Sequence, residues 1–273
     1  MLSKLEMKLR AEDNNALNIH KGSLLHGVIM ENINPEYAAL MHEQGLNPFT
    51  SYLTGKEGEY IWTISTLNDQ AFNEIIMQFM KPEMKRIKLK YSDADIEIVE
   101  KKISSIENND IMSQFYELET SNYFSINFIT PTAFKSSGEY IFYPDLAMIF
   151  QSLMNKYNLS SEEVSFFDSD TLEQIIQNTR IVKYNLKSVK FDLEGIKIPS
   201  FIGSITIKSK GPDTMKRFIR LLLQYGEFSG VGIKCSLGMG AIKLLDKYLL
   251  GISGAGIDAD SQVEKPMRLQ VKE

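Results

Sequence analysis

At 273 residues the chain can bury a substantial core and fits one large domain or two of ordinary size. Its 43% hydrophobic and 24% charged composition is globular, its apolar runs are far too short to span a membrane, and its one cysteine, Cys235, excludes a disulfide framework and suits a reducing cytoplasm. Three scattered histidines (His20, His26, His42) lack zinc-ligand spacing, so no metal or other cofactor is expected, and a net charge of −5 argues at first sight against a nucleic-acid partner.

Residues 2–9 alternate Leu5, Met7 and Leu9 with Lys4, Glu6 and Lys8, the pattern of a first strand and not of a signal peptide. Residues 22–44 have helical spacing (Leu25, Val28, Ile29, Ile33, then Ala38 and Met41), and Pro35 divides them into two short helices, the second capped by Gly45. Strands are predicted over 49–53 and 60–66, joined by the turn Gly55-Lys-Glu-Gly58. Residues 69–80 form an amphipathic helix with Phe72, Ile75, Ile76 and Phe79 on one face. Strands at 87–91 and 96–103 complete a ferredoxin-like order of strand, helix, strand, strand, helix, strand.

Residues 104–122 read as a linker, after which the order recurs with additions. Strands are expected at 123–130, 140–143, 181–193, 201–208 and 240–245, and helices at 146–157, 171–178 and 213–224. The predicted architecture is therefore α+β: tandem ferredoxin-like (RRM-like) domains over 1–110 and 111–250, a C-terminal glycine-rich loop, and a flexible, charged tail over 251–273.

Charge is unevenly distributed. From Arg180 to Arg220 ten basic residues (Arg180, Lys183, Lys187, Lys190, Lys197, Lys208, Lys210, Lys216, Arg217, Arg220) face three acidic ones, a net +7. Such a zone can draw a polyanion to one side of an acidic protein, although charge runs commonly do no more than solvate a surface. The stretch that follows, 226–244, places Gly226, Gly230, Gly232, Gly238 and Gly240 within fifteen residues, with Lys234 between the two Gly-x-Gly pairs. A dinucleotide fingerprint needs a strand before and a helix after; here the order is reversed, which removes a nucleotide cofactor. Two readings stay open: a loop that merely turns the chain, or one whose backbone amides and Lys234 meet a phosphate backbone.

The segment GVGIKCSLGMG after a basic amphipathic helix resembles the C-terminal glycine-rich motif of the RAMP superfamily. With GSLLHGVIMENI and ALMHEQGLNPFT in the N-terminal half, the chain resembles the Cas6 family of CRISPR-associated repeat endoribonucleases, over residues 2–245. The resemblance implies metal-independent cleavage of precursor CRISPR RNA within its repeats, leaving a 5′-hydroxyl and a 2′,3′-cyclic phosphate. It implies repeat RNA as partner, an interference complex or a homodimer as further partners, and a cytoplasmic location. It assigns RNA contacts to Arg180, Lys183, Lys187, Lys190, Lys208, Lys210, Lys216, Arg217, Arg220, Lys234 and the glycines 230, 232, 238 and 240.

The cleavage requires proton transfers, for which histidine, with a pKa of about 6.5, is suited. His42 matches the position of the family's catalytic histidine and ends a helix whose dipole favours its imidazolium; His26 on the first helix is the second candidate. Either is equally explicable as a boundary residue of an amphipathic helix. Some family members add a tyrosine and a lysine where this chain has Met30 and Asn47, and Lys21, Tyr52 and Lys56 are the nearby substitutes. The alternative functions are a RAMP-type subunit that holds guide RNA without cutting it, and an interaction module that binds no RNA.

Overall fold

The computed structural model describes residues 1–11, 17–43, 47–56, 58–89, 95–107, 120–160 and 168–245, with the side chains of His42, Glu43 and Lys56 outside that description. Gly45, most of the linker core and the 251–273 tail also lie outside the described residues.

In the first half, strands β1 (Leu2–Ala11), β2 (Phe49–Lys56), β3 (Glu59–Thr66), β4 (Arg86–Lys88) and β5 (Asp95–Ile106) form one antiparallel sheet in the order β2-β3-β1-β5-β4. Helices α1 (Gly22–Asn32) and α2 (Pro35–Glu43) connect β1 to β2. The alternation in β1 sends Leu5, Met7 and Leu9 into a core with Leu25, Val28, Ile29, Trp62 and Phe79. Trp62 is wholly buried, donates Nε1–H to Ser51 Oγ at 2.8 Å and meets Phe79 edge-on at 5.2 Å, so its polar atom is satisfied inside the core.

Two expectations are refined. Pro35 opens α2 instead of interrupting a helix: α1 ends at Asn32, Ile33 is extended (φ −102°, ψ 170°), and the missing amide of proline costs nothing in a first turn. The helix expected over 69–80 is α3 (Asp69–Ala71), a π turn (Phe72–Ile76) and α4 (Met77–Met80). Ile75, Ile76 and Phe79 stay buried across this wider turn, on the face that the sequence assigns to the core.

The second half repeats the plan with β6 (Tyr123–Thr132), α5 (Leu146–Ser160), β9 (Thr179–Leu193), β10 (Ile196–Ser209), α7 (Asp213–Ser229) and β11 (Ile242–Leu244), in the sheet order β11-β6-β10-β9. The hairpin β7 (Phe134–Ser136) with β8 (Glu139–Ile141) and the helix α6 (Ser169–Asn178) are insertions. Both sheets have the antiparallel ferredoxin-like order, in which the first strand lies between the third and the last. No helix among the described residues is long and apolar enough to cross a membrane.

Helix α7 belongs to both halves. Its Ile219, Leu222 and Leu223 fill the second core, while Tyr225 and Phe228 join Leu2, Leu67 and Ile106 on the back of the first sheet. The helix therefore runs past the expected end at Gln224, because its last turn has a partner surface. Thr50 Oγ1 donates to the Phe228 carbonyl at 2.8 Å and the Lys4 ammonium lies 4.7 Å from the Phe228 ring centroid. Burial pushes the Lys4 pKa down, partly offset by the charge of Glu227, and pushes the Glu227 pKa up against the hydrogen bond that Leu244 N–H donates to its carboxylate at 3.0 Å. Tyr52, buried in the same seam, is raised to about 12 by burial.

This seam makes stability depend on pH. The Glu227 contribution is intact below the ordinary carboxyl value of 4.5 and is lost as pH rises through the raised folded value; the Lys4 penalty is relieved as pH rises toward its ordinary 10.5. Denaturant unfolding of wild type and Glu227→Gln across pH is expected to show their stability difference growing in the variant's favour from acid to neutral pH. A difference that does not vary with pH contradicts the assignment.

Candidate functional site

The glycine segment packs against the first helix. From Gly230 to Gly240 the chain forms a loop with a 3₁₀ turn at Cys235–Leu237, lying against α1 and β2. A Cβ on Gly22 would stand 2.0 Å from the Leu237 carbonyl oxygen and 3.0 Å from the Gly238 Cα. Gly22 has an ordinary helical φ of −56°, so it is glycine for room and not for conformation. Gly238 needs both: its φ is +108°, and a Cβ there would meet Gly22 Cα at 3.3 Å and the Phe191 ring at 3.2 Å. The body that approaches this glycine-rich backbone is the protein's own first half. Asn47 Nδ2 adds a hydrogen bond to Ser236 Oγ at 3.0 Å, beside the segment that leads from α2 into β2.

The loop's amides are largely used internally. Val231, Ile233 and Gly240 donate to the carbonyls of Gly240, Ala133 and Pro131, Gly232 to Ser152 Oγ at 2.9 Å, and Ala241 to Thr130 Oγ1 at 3.0 Å. Gly230, Gly238 and Gly240 are buried, whereas Lys234 between the glycine pairs is exposed and holds a left-handed φ of 57°.

Beneath the loop, Lys156 on α5 is 7% exposed and donates to the carbonyls of Ser229 (3.1 Å) and Gly230 (3.0 Å) and to Cys235 Sγ (3.0 Å). An ammonium at the C-terminal end of α7 complements the helix dipole and ties the helix end to the loop. Cys235 is buried and its thiol donates to the Val231 carbonyl at 3.4 Å. The sequence signal for Lys156 was a charged residue beside the apolar face of Leu153 and Met154; spacing alone does not distinguish it from a solvent-facing lysine.

The histidines take different places. His26 is half-buried on α1 with its ring stacked on Phe49, 5.7 Å between centroids and 12° between planes. His42 lies in the last turn of α2, and its side chain is outside the described residues. His20, given the smallest role by the sequence, clamps the halves together: its Nδ1 accepts the Asp192 amide at 3.1 Å and its ring rests on Phe191, 5.4 Å between centroids. Of the suggested substitutes, Tyr52 is in the α7 seam; Met30, which stands where some family members have a tyrosine, packs against the first core.

Strand register gathers some of the basic residues. Arg180, Lys183 and Lys187 of β9 share the face of the second sheet opposite its helices with Lys208 of β10, whose ammonium is 5.3 Å from the Tyr123 ring centroid. Asn127, Asn185, Ser204 and Thr206 lie between them, and no carboxylate shares that face among the described residues. Lys243, unassigned in the sequence reading, joins the face by pairing with Asn127; the in–out–in order of Ile242, Lys243 and Leu244 carried the signal. The face runs along β9 to Phe191 and the glycine loop, about 35 Å at strand rise. Lys190 belongs to the opposite face, and Arg220 is 2% exposed inside the second core, so neither lies on this track. Lys210 and Lys216 stand at the other end of α7 from the glycine loop, about 25 Å away along the helix, with Lys216 paired to Asp213 at 3.0 Å; Arg217 is half-buried nearby.

The sequence profile of CRISPR-associated endoribonuclease Cas6 matches residues 126–242. A Streptococcus thermophilus CRISPR-associated endoribonuclease Cas6 is 36% identical over 224 residues, covering 81% of this chain and 90% of that protein. The protein of the same name from Mycobacterium tuberculosis (strain ATCC 25618 / H37Rv) is 34% identical over 226 residues, covering 82% of this chain and 71% of its own length. Among solved structures, a Cas6 product complex superposes with a TM-score of 0.73 at 20% identity, over 90% of this chain and 100% of the other.

Gly22→Ala and Lys156→Met attack the loop from its two sides, and each is expected to lower unfolding free energy by about 1–3 kcal/mol, through overpacking and loss of buried donors respectively. Gly27→Ala, on the same helix with nothing within 4 Å of its added Cβ, is expected to be neutral or to stabilise by about 0.5–1 kcal/mol. Denaturant midpoints decide this; equal effects of the two glycine substitutions would remove the special role of Gly22.

Proposed function

The chain belongs to the Cas6 family of CRISPR-associated endoribonucleases, and from that premise we propose that it cuts precursor CRISPR RNA within its repeats, in the cytoplasm, without a metal ion. The 2′-hydroxyl attacks the adjacent phosphorus while the bond to the 5′-oxygen breaks, leaving a 2′,3′-cyclic phosphate and a 5′-hydroxyl. One proton leaves the 2′-oxygen and one reaches the 5′-oxygen. His42 is the principal group for these transfers, since the C-terminal end of α2 favours an imidazolium that can donate or stabilise negative charge. His26 is the second; its stack on Phe49 holds one ring orientation.

The observation that carries this reading is the seat of the glycine loop on Gly22 and Asn47. That contact sets the glycine loop, with exposed Lys234, against α1, which bears His26 and precedes the His42 helix α2. RNA held along Arg180, Lys183, Lys187, Lys208 and Lys243 then leads toward those helices, with phosphates meeting lysines and unpaired bases meeting amides and Tyr123.

The purified protein is expected to cut its cognate repeat RNA in EDTA and to leave uncut an RNA carrying 2′-deoxyribose 5′ of the scissile phosphate. Cleavage of the deoxy substrate, or strict dependence on added magnesium, would sink the mechanism. His42→Ala is expected to slow single-turnover cleavage by roughly 10²–10⁴ with binding little changed. Intact RNA binding with no cutting by wild type would favour the guide-holding alternative.

The basic face has its own test. Each phosphate contact removed by Lys183→Ala or Lys187→Ala should lower the slope of log affinity against log salt by about 0.7–0.9. Lys190→Ala, on the opposite face, should leave the slope unchanged; three equal slopes would contradict this placement.

A further inference from the structure

A cavity of about 370 Å³ opens beside the glycine segment, between the β7–β8 hairpin, α5 and α6. Phe134, Met148, Leu172 and Ile233 give it apolar walls, and no carboxylate lines it among the described residues. Two lysines do. The charge of Lys156 is already taken up by Ser229, Gly230 and Cys235, whereas Lys135 is exposed, its ammonium 5.7 Å from the Tyr140 ring centroid. Among the described residues the cavity has one unspent cation and no anion, which favours a ligand that is neutral in its body and negative at one end.

Two further polar groups line it. Gln151 and Asn155 lie one helical turn apart on α5, both exposed, and Gln151 Nε2 donates to Asn155 Oδ1 at 2.8 Å. That bond uses one donor and one acceptor, which leaves the Gln151 carbonyl as an acceptor and an Asn155 amide proton pair as donors. An acceptor and a donor side by side match the edge of a nucleobase. The volume lies at the small end of ligand sites and is far too small for a duplex. Gly232 and Ile233 make the wall continuous with the glycine loop.

We propose that this cavity receives one unpaired nucleotide of the bound RNA, its base against Phe134 and Ile233, its edge read by Gln151 and Asn155, its phosphate met by Lys135. The inference rests on the RNA-binding reading above and adds to it a sequence-reading site away from the cut. Recognition of a flipped or unstacked base is how proteins read single-stranded RNA by sequence.

The test is an abasic scan crossed with a pocket variant. Repeat RNAs, each lacking one base outside the cut site, are titrated against wild type and against the double variant Gln151→Leu, Asn155→Leu. Both positions are exposed, and circular dichroism checks the variant's fold. In wild type, one abasic position is expected to weaken binding by about 5- to 100-fold, the range of a lost base contact. The variant is expected to bind intact RNA several-fold more weakly and to lose nothing more at that one position. Additive losses at every position, or no loss in the variant, overturn the inference while leaving RNA cleavage standing. Wild type that neither binds nor cuts any repeat RNA overturns the functional reading itself. Tight binding of free AMP in the cavity without competition from repeat RNA reassigns the cavity to a mononucleotide and also overturns the proposal.

Discussion

Everything at the candidate site depends on one close approach of backbone to backbone. Gly22 at the start of α1 lies so near Leu237 and Gly238 that neither Gly22 nor Gly238 has room for an ordinary side chain. Such a contact gains dispersion energy on both surfaces and tolerates no intermediate distance, so it fixes the loop against the helix. The loop in turn takes four positive-φ glycines and the left-handed Lys234 to present the required backbone. The conformational cost of that loop is set against a single, rigid seat for the second half upon the histidine-bearing helices.

Polar groups reinforce the seat where apolar area alone would allow sliding. Helix α7 covers the first sheet with Tyr225 and Phe228, and its own half-buried Glu227 and the Lys4 and Thr50 of the facing strands each find a specific partner or counter-charge there. Lys156 does the same where this end of the helix passes into the glycine loop, with two carbonyls and a thiol. Groups of this kind contribute little net stability, because each is taken out of water, but a displaced arrangement strands them. They select one relative placement of the two sheets, and the basic face and α1 are held in register by it.

The alternation of Leu5, Met7 and Leu9, the apolar stripe of α1 and the repeat of strand and helix order made both sheets legible, since side-chain period reports a buried face directly. Pattern was silent on the π turn at Phe72–Ile76 and on the extension of α7 to Ser229 over the other half. The basic residues that the sequence groups together are separated by the fold: register divides Lys183 and Lys187 from Lys190, and the core withdraws Arg220. His20 looked the least interesting histidine because its partners, Phe191 and Asp192, are some 170 positions away in the chain.

By itself the sequence determined the α+β class, the doubled ferredoxin-like order, the glycine-rich loop and the family resemblance, because periodicity and short motifs are local properties of the chain. Tertiary structure alone decided what the glycines are for, which lysines share a face, and that Lys156 is an internal clasp. Those outcomes follow from which surfaces meet after folding. A glycine that makes room for a turn and one that makes room for another helix are the same letter until the second backbone arrives.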